Sequence, residues 1–341
     1  MMRFILVSIL ATFLVSASCS KSNGNADLPP SNLVVKATVA PGNTGNVDFV
    51  ATATNAATYQ FEFGNGATAT EASGKLTYKY PESGSYTVRV TAKSATGKSV
   101  VETTNVTVTV EMKMVWSDEF TTPGKPDPSK WVYDIGTGSN GWGNQELQYY
   151  TDRTENAVVA DGMLRITAKR ENYGGREWTS ARIKTQTKYT VKYGKIEMRA
   201  KLPSGKGSWP AFWTLGENIT SVGWPACGEI DIMEHVGNQQ NTIHSVLHFP
   251  GNSGANPIGK TIQVPTASTE FHVYAVEWNA TTIRFSVDGT VYHTFANQPG
   301  LPYHAPHFII LNFAIGGGFG GTVDPAFNGD TYIIDYVRVY Q

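Results

Sequence analysis

The chain has 341 residues, more than one small core usually organises, so its length alone predicts two folded units behind any targeting segment. Its 27 basic and 28 acidic residues nearly cancel. A polyanion such as nucleic acid would find no electrostatic footprint, and a neutral ligand is easier to accommodate. Thirty-four glycines, eight tryptophans and sixteen tyrosines make the composition of a β-sandwich that stacks flat apolar faces against a ligand such as a sugar.

The N-terminus reads as targeting. Arg3 precedes an apolar run from Phe4 to Val15, and Ser16, Ala17, Ser18 and Cys19 follow. Such a run is too short for a comfortable membrane span. The segment resembles a bacterial lipoprotein signal, with Ser16 where a leucine is usual; an ordinary cleaved signal is the alternative. The resemblance implies that Cys19 becomes the acylated first residue of the mature protein. The expected location is then the bacterial cell envelope, at the outer-membrane surface or in the periplasm, with the membrane touched only through a lipid on Cys19. Residues Ser20–Ser31, with Pro29 and Pro30, read as a flexible tether. Only Cys227 remains once Cys19 is set aside, so the mature chain has no intramolecular disulfide and no CxxC-type metal site. A free cysteine is more often a small packed apolar residue, and Cys227 is assigned no chemistry.

Residues 32–111 are rich in threonine and valine and alternate with period two: Tyr86, Val88 and Val90 against Thr87, Arg89 and Thr91. Turn signals such as Gly64-Asn65-Gly66 punctuate them, and a small antiparallel sandwich of immunoglobulin type is predicted. The run Tyr59–Gly66, with Tyr78-Lys79-Tyr80 and Gly84–Val88, resembles a polycystic-kidney-disease-type (PKD) domain, with Asn65 in place of the usual aspartate. Either residue suits the turn. With no clustered acids or histidines in this unit, two readings stand: a spacer, or a glycan-binding module.

Residues 112–341 differ in composition and hold all eight tryptophans. Ile196, Met198 and Ala200 alternate with Glu197, Arg199 and Lys201, and Asp288-Gly289 is a strong hairpin signal. No stretch shows sustained helical periodicity with good caps, and no repeat at propeller or solenoid periods is visible. The expectation is two packed antiparallel sheets, a jelly roll with long loops around one face.

The most informative segment is Gly228–His235, GEIDIMEH. In a regular strand Glu229 and Asp231 share one face while Glu234 falls on the other, among isoleucines. A β-bulge at Met233 absorbs one residue, returns Glu234 to the carboxylate face and lets Met233 pack inward. With the bulge counted out, Glu229 and Glu234 are four steps apart, roughly 13 Å between backbones, and their side chains can converge. Retaining glycoside hydrolysis needs two carboxyl groups about 5 to 5.5 Å apart. Three neighbouring acids cannot all ionise cheaply, so one keeps its proton and can act as general acid.

These residues resemble the ExDxxE motif of glycoside hydrolase family 16, in its bulged, laminarinase-like form. Val115–Phe120, Gly141–Thr151, Ser208–Gly216 and Gly223–Asp231 match the family pattern in order, so the resemblance spans essentially the whole second unit. It implies that Glu229 is the nucleophile, Glu234 the acid/base and Asp231 the residue that hydrogen-bonds and tunes the nucleophile. It also implies that Asn144, Arg182, Trp209, Trp213, Trp224 and His248 line the cleft: the indoles stack on sugar rings, and the others bond hydroxyls. Trp209 and Trp213, four apart on one predicted strand, can face the same side, whereas His244 reads as packing.

The family often binds a structural calcium ion through backbone oxygens and a late aspartate. Asp335 occupies that position, with the carbonyls of Glu119 and Gly162 as co-ligands, an oxygen-only set that suits calcium. No cofactor is expected for catalysis. Phe319 stands where many relatives place a tryptophan, which puts sugar contacts on that loop in doubt. The expected activity is retaining, endo-acting cleavage of β-1,3-glucan and of mixed β-1,3/1,4-glucan by a monomer. The alternatives are an enzyme restricted to mixed-linkage glucan and a non-catalytic glycan-binding lipoprotein.

Overall fold

The structure is a computed structural model that describes residues 28–341. The expected signal, the lipidation site Cys19 and the tether up to Ala26 and Asp27 lie outside the described residues. Among the described residues no helix is long and apolar enough to cross a membrane. The chain divides into two compact units between Glu111 and Met112.

The first unit is a sandwich of a three-stranded and a four-stranded sheet. Period-two alternation builds it: in the strand Gly84–Lys93, Val88 and Val90 are fully buried while Thr87 and Arg89 are exposed. They pack on Val47, Phe49, Phe61, Phe63 and Tyr80. Asn65 makes its turn as the sequence suggests, accepting from the Ala67 amide at 3.2 Å and donating to the Tyr78 hydroxyl at 2.9 Å.

The second unit packs a ten-stranded sheet on a seven-stranded one. Ile196, Met198 and Ala200 of the larger sheet meet Phe212, Ile230, Met233 and Leu311 of the smaller in one core. The Asp288-Gly289 turn joins Thr282–Val287 to Thr290–Ala296, and both residues have the positive φ, 48° and 78°, that a tight hairpin of this twist requires. Helices are confined to single turns such as Ile219–Val222 and Gly317–Gly320. Cys227 is buried, and burial pushes its thiol up to about 11, so it is inert packing.

In the smaller sheet the strands run in the order Ile258–Gln263, Thr242–His248, Glu229–His235, Ser208–Gly216, His307–Ile315, Arg182–Lys184 and Val132–Asp134. All neighbours are antiparallel. One face of this sheet meets the core, and the other carries the site.

Candidate active site

The strand Glu229–His235 is bulged where the sequence demands it. Asp231 pairs with Trp213 and Val246, but Glu234 pairs with Ala211 and His244, so Ile232 and Met233 together stand opposite Ser245. Both pack into the core. The extra residue restores Glu234 to the face of Glu229 and Asp231.

Direct cross-strand partners share a face, and the registers join into a single row. It runs Asp134, Arg182, Asn312, Ala211, Glu234, His244, across six strands. Along the Ser208–Gly216 strand, Trp209 and Trp213 lie on the same face, two residues to either side of Ala211. Along Thr242–His248, His244 and His248 do the same four apart. His244 therefore differs from its reading as packing. The irregularity lies in its partner strand and not its own, and its ring meets Phe319 edge-on at 5.0 Å. Phe319 meets Trp209 in the same way at 5.6 Å, so Phe319 packs over the Glu234 end of the row.

Each glutamate receives one indole N–H. Trp224 Nε1 donates to Glu229 Oε2 at 2.7 Å, and Trp209 Nε1 donates to Glu234 Oε1 at 3.0 Å. His248 Nε2 stands 3.4 Å from Asp231 Oδ2 and 4.0 Å from Glu229 Oε1. Asp231 is buried and held well above the usual carboxylate range, by desolvation first and then by the charges of Glu229 and Glu234. Glu234 is pushed up to about 7, mainly by burial, with Glu229 adding to the rise and the Trp209 hydrogen bond opposing it. A carboxyl group that keeps its proton near neutrality beside a second carboxylate is the arrangement needed for proton delivery and nucleophilic attack from one face. Glu229, Asp231 and His248 are also the one group of three side-chain ligands among the described residues whose donor atoms lie within 4.8 Å of one another.

The remaining residues implied by the resemblance fall on the other side of the same row. The Arg182 guanidinium packs against the rings of Trp142 and Trp213, 4.8 and 4.7 Å from their centroids, and its Nε is 3.0 Å from Asp134 Oδ2. Lys184 shares Asp134 at 2.7 Å. Asn144 donates to Glu146 Oε1 at 3.3 Å. Glu146, Tyr150, Asn312, Asp134 and Trp142 are the site residues that sequence reasoning missed. Glu146 is buried and accepts also from Gln148 at 2.6 Å and from the Tyr150 hydroxyl at 3.0 Å. Asn312 Nδ2 donates to Tyr150, and Asn312 Oδ1 accepts from Trp213 Nε1 at 2.6 Å. The signal for Glu146 was present in the quoted run Gly141–Thr151: an acid in an apolar-aromatic stretch needs partners, and glutamine and tyrosine stand two and four residues on.

Asp335, Glu119 and Gly162 are separate from this face, on the ten-stranded sheet. Along one edge of strand Gly329–Tyr340, pairing passes from the Met163–Tyr173 strand, ending at Ile334, to the Met114–Asp118 strand, starting at Val337. Glu119 and Gly162 flank that interruption. On the other edge Asp335 is the unpaired residue of a bulge, because Arg199 pairs with Tyr336 and Ala200 with Ile334. Backbone oxygens left out of a ladder beside a carboxylate suit a hard cation. Arg199 competes for the Asp335 carboxylate, donating to it at 2.5 Å, while the side-chain carboxylate of Glu119 accepts from Arg338 at 2.9 and 2.8 Å.

Comparison with known proteins agrees with this geometry. Residues 32–110 match the PKD domain, and residues 144–338 match Glycosyl hydrolases family 16. The chain is 47% identical over 245 residues to a beta-glucanase of Rhodothermus marinus, over 67% of this chain and 85% of that one. It is 39% identical over 248 residues to a glucan endo-1,3-beta-glucosidase of Cryptopygus antarcticus, over 65% and 90%. The X-ray structure of the laminarinase from Rhodothermus marinus superposes with a TM-score of 0.65 at 48% identity, covering 68% of this chain and 98% of that one. With the bulged carboxylate strand and the indole-lined face in place, this chain belongs to glycosyl hydrolase family 16 and carries an N-terminal PKD domain.

Proposed function

We propose that the protein is a retaining endo-hydrolase of β-1,3-glucan that also accepts mixed β-1,3/1,4-glucan. The observation that carries the reading is the placement of Glu229 and Glu234 on one open face, each under an indole N–H, with Glu234 pushed up to about 7. Glu229 attacks the anomeric carbon while Glu234 gives its proton to the departing glycosidic oxygen. The ionised Glu234 then takes a proton from water, which attacks the same carbon and frees Glu229. Asp231, raised well above the usual carboxylate range by burial and by the charges of its neighbours, bonds to Glu229. His248 and the tryptophans bind and orient sugar units.

The test is product analysis on laminarin, barley mixed-linkage glucan and agarose. Oligosaccharides from laminarin are expected, with attack on barley glucan beside it. Because the acid must be protonated for the first step, kcat/KM is expected to fall as pH rises through about 7. Attack on barley glucan alone narrows the reading to mixed-linkage cleavage, and products from agarose alone would overturn it.

We further propose a structural calcium ion held by Asp335 with the carbonyls of Glu119 and Gly162, Arg199 giving way to it. A hard dication here supplies charge to a break in the ladder and performs no chemistry at the cleft. Millimolar calcium is expected to raise the melting temperature, and Asp335→Ala to remove that rise; a rise that survives the substitution would place the ion elsewhere. A lipid on Cys19 would hold the enzyme at the cell envelope, and loss of acyl labelling in Cys19→Ser tests it. None of the seven aromatic residues of the PKD unit is exposed, which favours a spacer over a glycan platform. Deleting that unit should then leave binding to insoluble glucan unchanged.

A further inference from the structure

We infer that Trp142 is the positioning residue that fixes Arg182 for sugar binding, and that its effect on the reaction passes through that guanidinium. This inference rests on the proposed β-glucan hydrolysis. Trp142 sits in a loop whose backbone is left-handed at four successive residues, with φ of 50° at Asn140, 57° at Gly141, 56° at Trp142 and 85° at Gly143. Glycine adopts this region freely; a tryptophan there is strained and needs contacts that hold it. The contacts are identifiable. The indole lies 5.8 Å from the Tyr150 ring, and a Cβ on Gly138 would come within 2.6 Å of it, so only glycine leaves room at that position. Its free face covers Arg182.

Trp213 lies 4.7 Å from the same guanidinium, and Asp134 forms an ion pair with it at Nε. A guanidinium packed against two indoles and ion-paired at Nε still has its Nη groups to offer a ligand, and these suit a pair of adjacent hydroxyl oxygens. The two walls of the clamp are unequal. Trp213 is anchored by its own hydrogen bond to Asn312, whereas the buried Nε1–H of Trp142 has no acceptor. Trp142 is therefore held by its ring contacts alone. Arg182 is three strands from Glu234 along the row, about 14 Å at the usual spacing, so the clamp bears on how a sugar chain is held and not on proton transfer.

The test is a double-mutant cycle on laminarin with Trp142→Ala, Arg182→Ala and the pair, together with Trp142→Phe, each checked for folding by melting. Trp142→Ala is expected to raise KM about tenfold with kcat within about threefold and the pH profile unmoved. Trp142→Phe, which keeps an aromatic face, is expected to recover most of the loss. In the Arg182→Ala background, Trp142→Ala should cost no more than about twofold further. Additive losses, or a fall in kcat at constant KM, would overturn the inference. No turnover by the unmodified protein on any β-glucan would tell against the proposed function instead.

Discussion

Glu229→Ala and Glu234→Ala both lose laminarin hydrolysis, by at least about a thousandfold in kcat, and azide tells them apart. General acid–base assistance contributes about 10² to 10⁴-fold, and removing the nucleophile eliminates the covalent route entirely. In Glu234→Ala the nucleophile survives, so an activated glucoside with a good leaving group still forms the glycosyl-enzyme. Azide, which needs no general base, then attacks it and gives a product of retained β configuration. In Glu229→Ala azide occupies the vacated side of the ring and displaces the leaving group directly, with Glu234 still protonating it, and the product is the α-azide. The assignment therefore rests on the anomeric configuration of two products read by NMR. Exchanged configurations would exchange the roles of the two glutamates.

Glu146→Ala is expected to be the most damaging change outside the catalytic pair. Its buried carboxylate takes three donors, from Asn144, Gln148 and Tyr150, and its removal leaves the buried Gln148 amide and Tyr150 hydroxyl without this acceptor. Each lost bond to a charged acceptor is worth about 1.5 to 3 kcal/mol. Even with partial relaxation the unit should lose about 4 kcal/mol, or about 10 °C in Tm at the usual slope for a domain of this size. Activity should suffer in parallel, because Tyr150 leads through Asn312 to Trp213 and so to the wall of the cleft. Glu146→Gln tests whether charge or shape matters: an amide must present an N–H to one of three donors, so it should recover less than half of the lost stability. A variant that melts within about 2 °C of the parent would show that the network is not needed.

Much of the site was legible because it is local. The alternation of Glu229 and Asp231, broken before Glu234, announced both the strand and its bulge within eight residues. The pair Trp209 and Trp213 fell on one face for the same periodic reason. What escaped was what depends on pairing between distant segments. Asp134 looks like an ordinary surface acid until register places it against Arg182, and His244 gains its place opposite Glu234 only because the bulge lies in the neighbouring strand. Period-two patterning gives the face of each residue but not its partner across the ladder. The bulge at Asp335 was hidden for the same reason, since Arg199 lies 136 residues away.

The six-residue row across the smaller sheet also bears on how this protein becomes active. Its members come from positions 134, 182, 211, 234, 244 and 312, and the strand of Asn312 lies in the middle of the sheet, between those of Arg182 and Ala211. Until this late strand has entered, the two parts of the cleft have no common floor. Non-local pairing of this kind is slow and is rewarded only when long loops close. Chain assembly and the appearance of activity should then be one event: a polypeptide stopped short of residue 307 holds every catalytic acid and yet no enzyme.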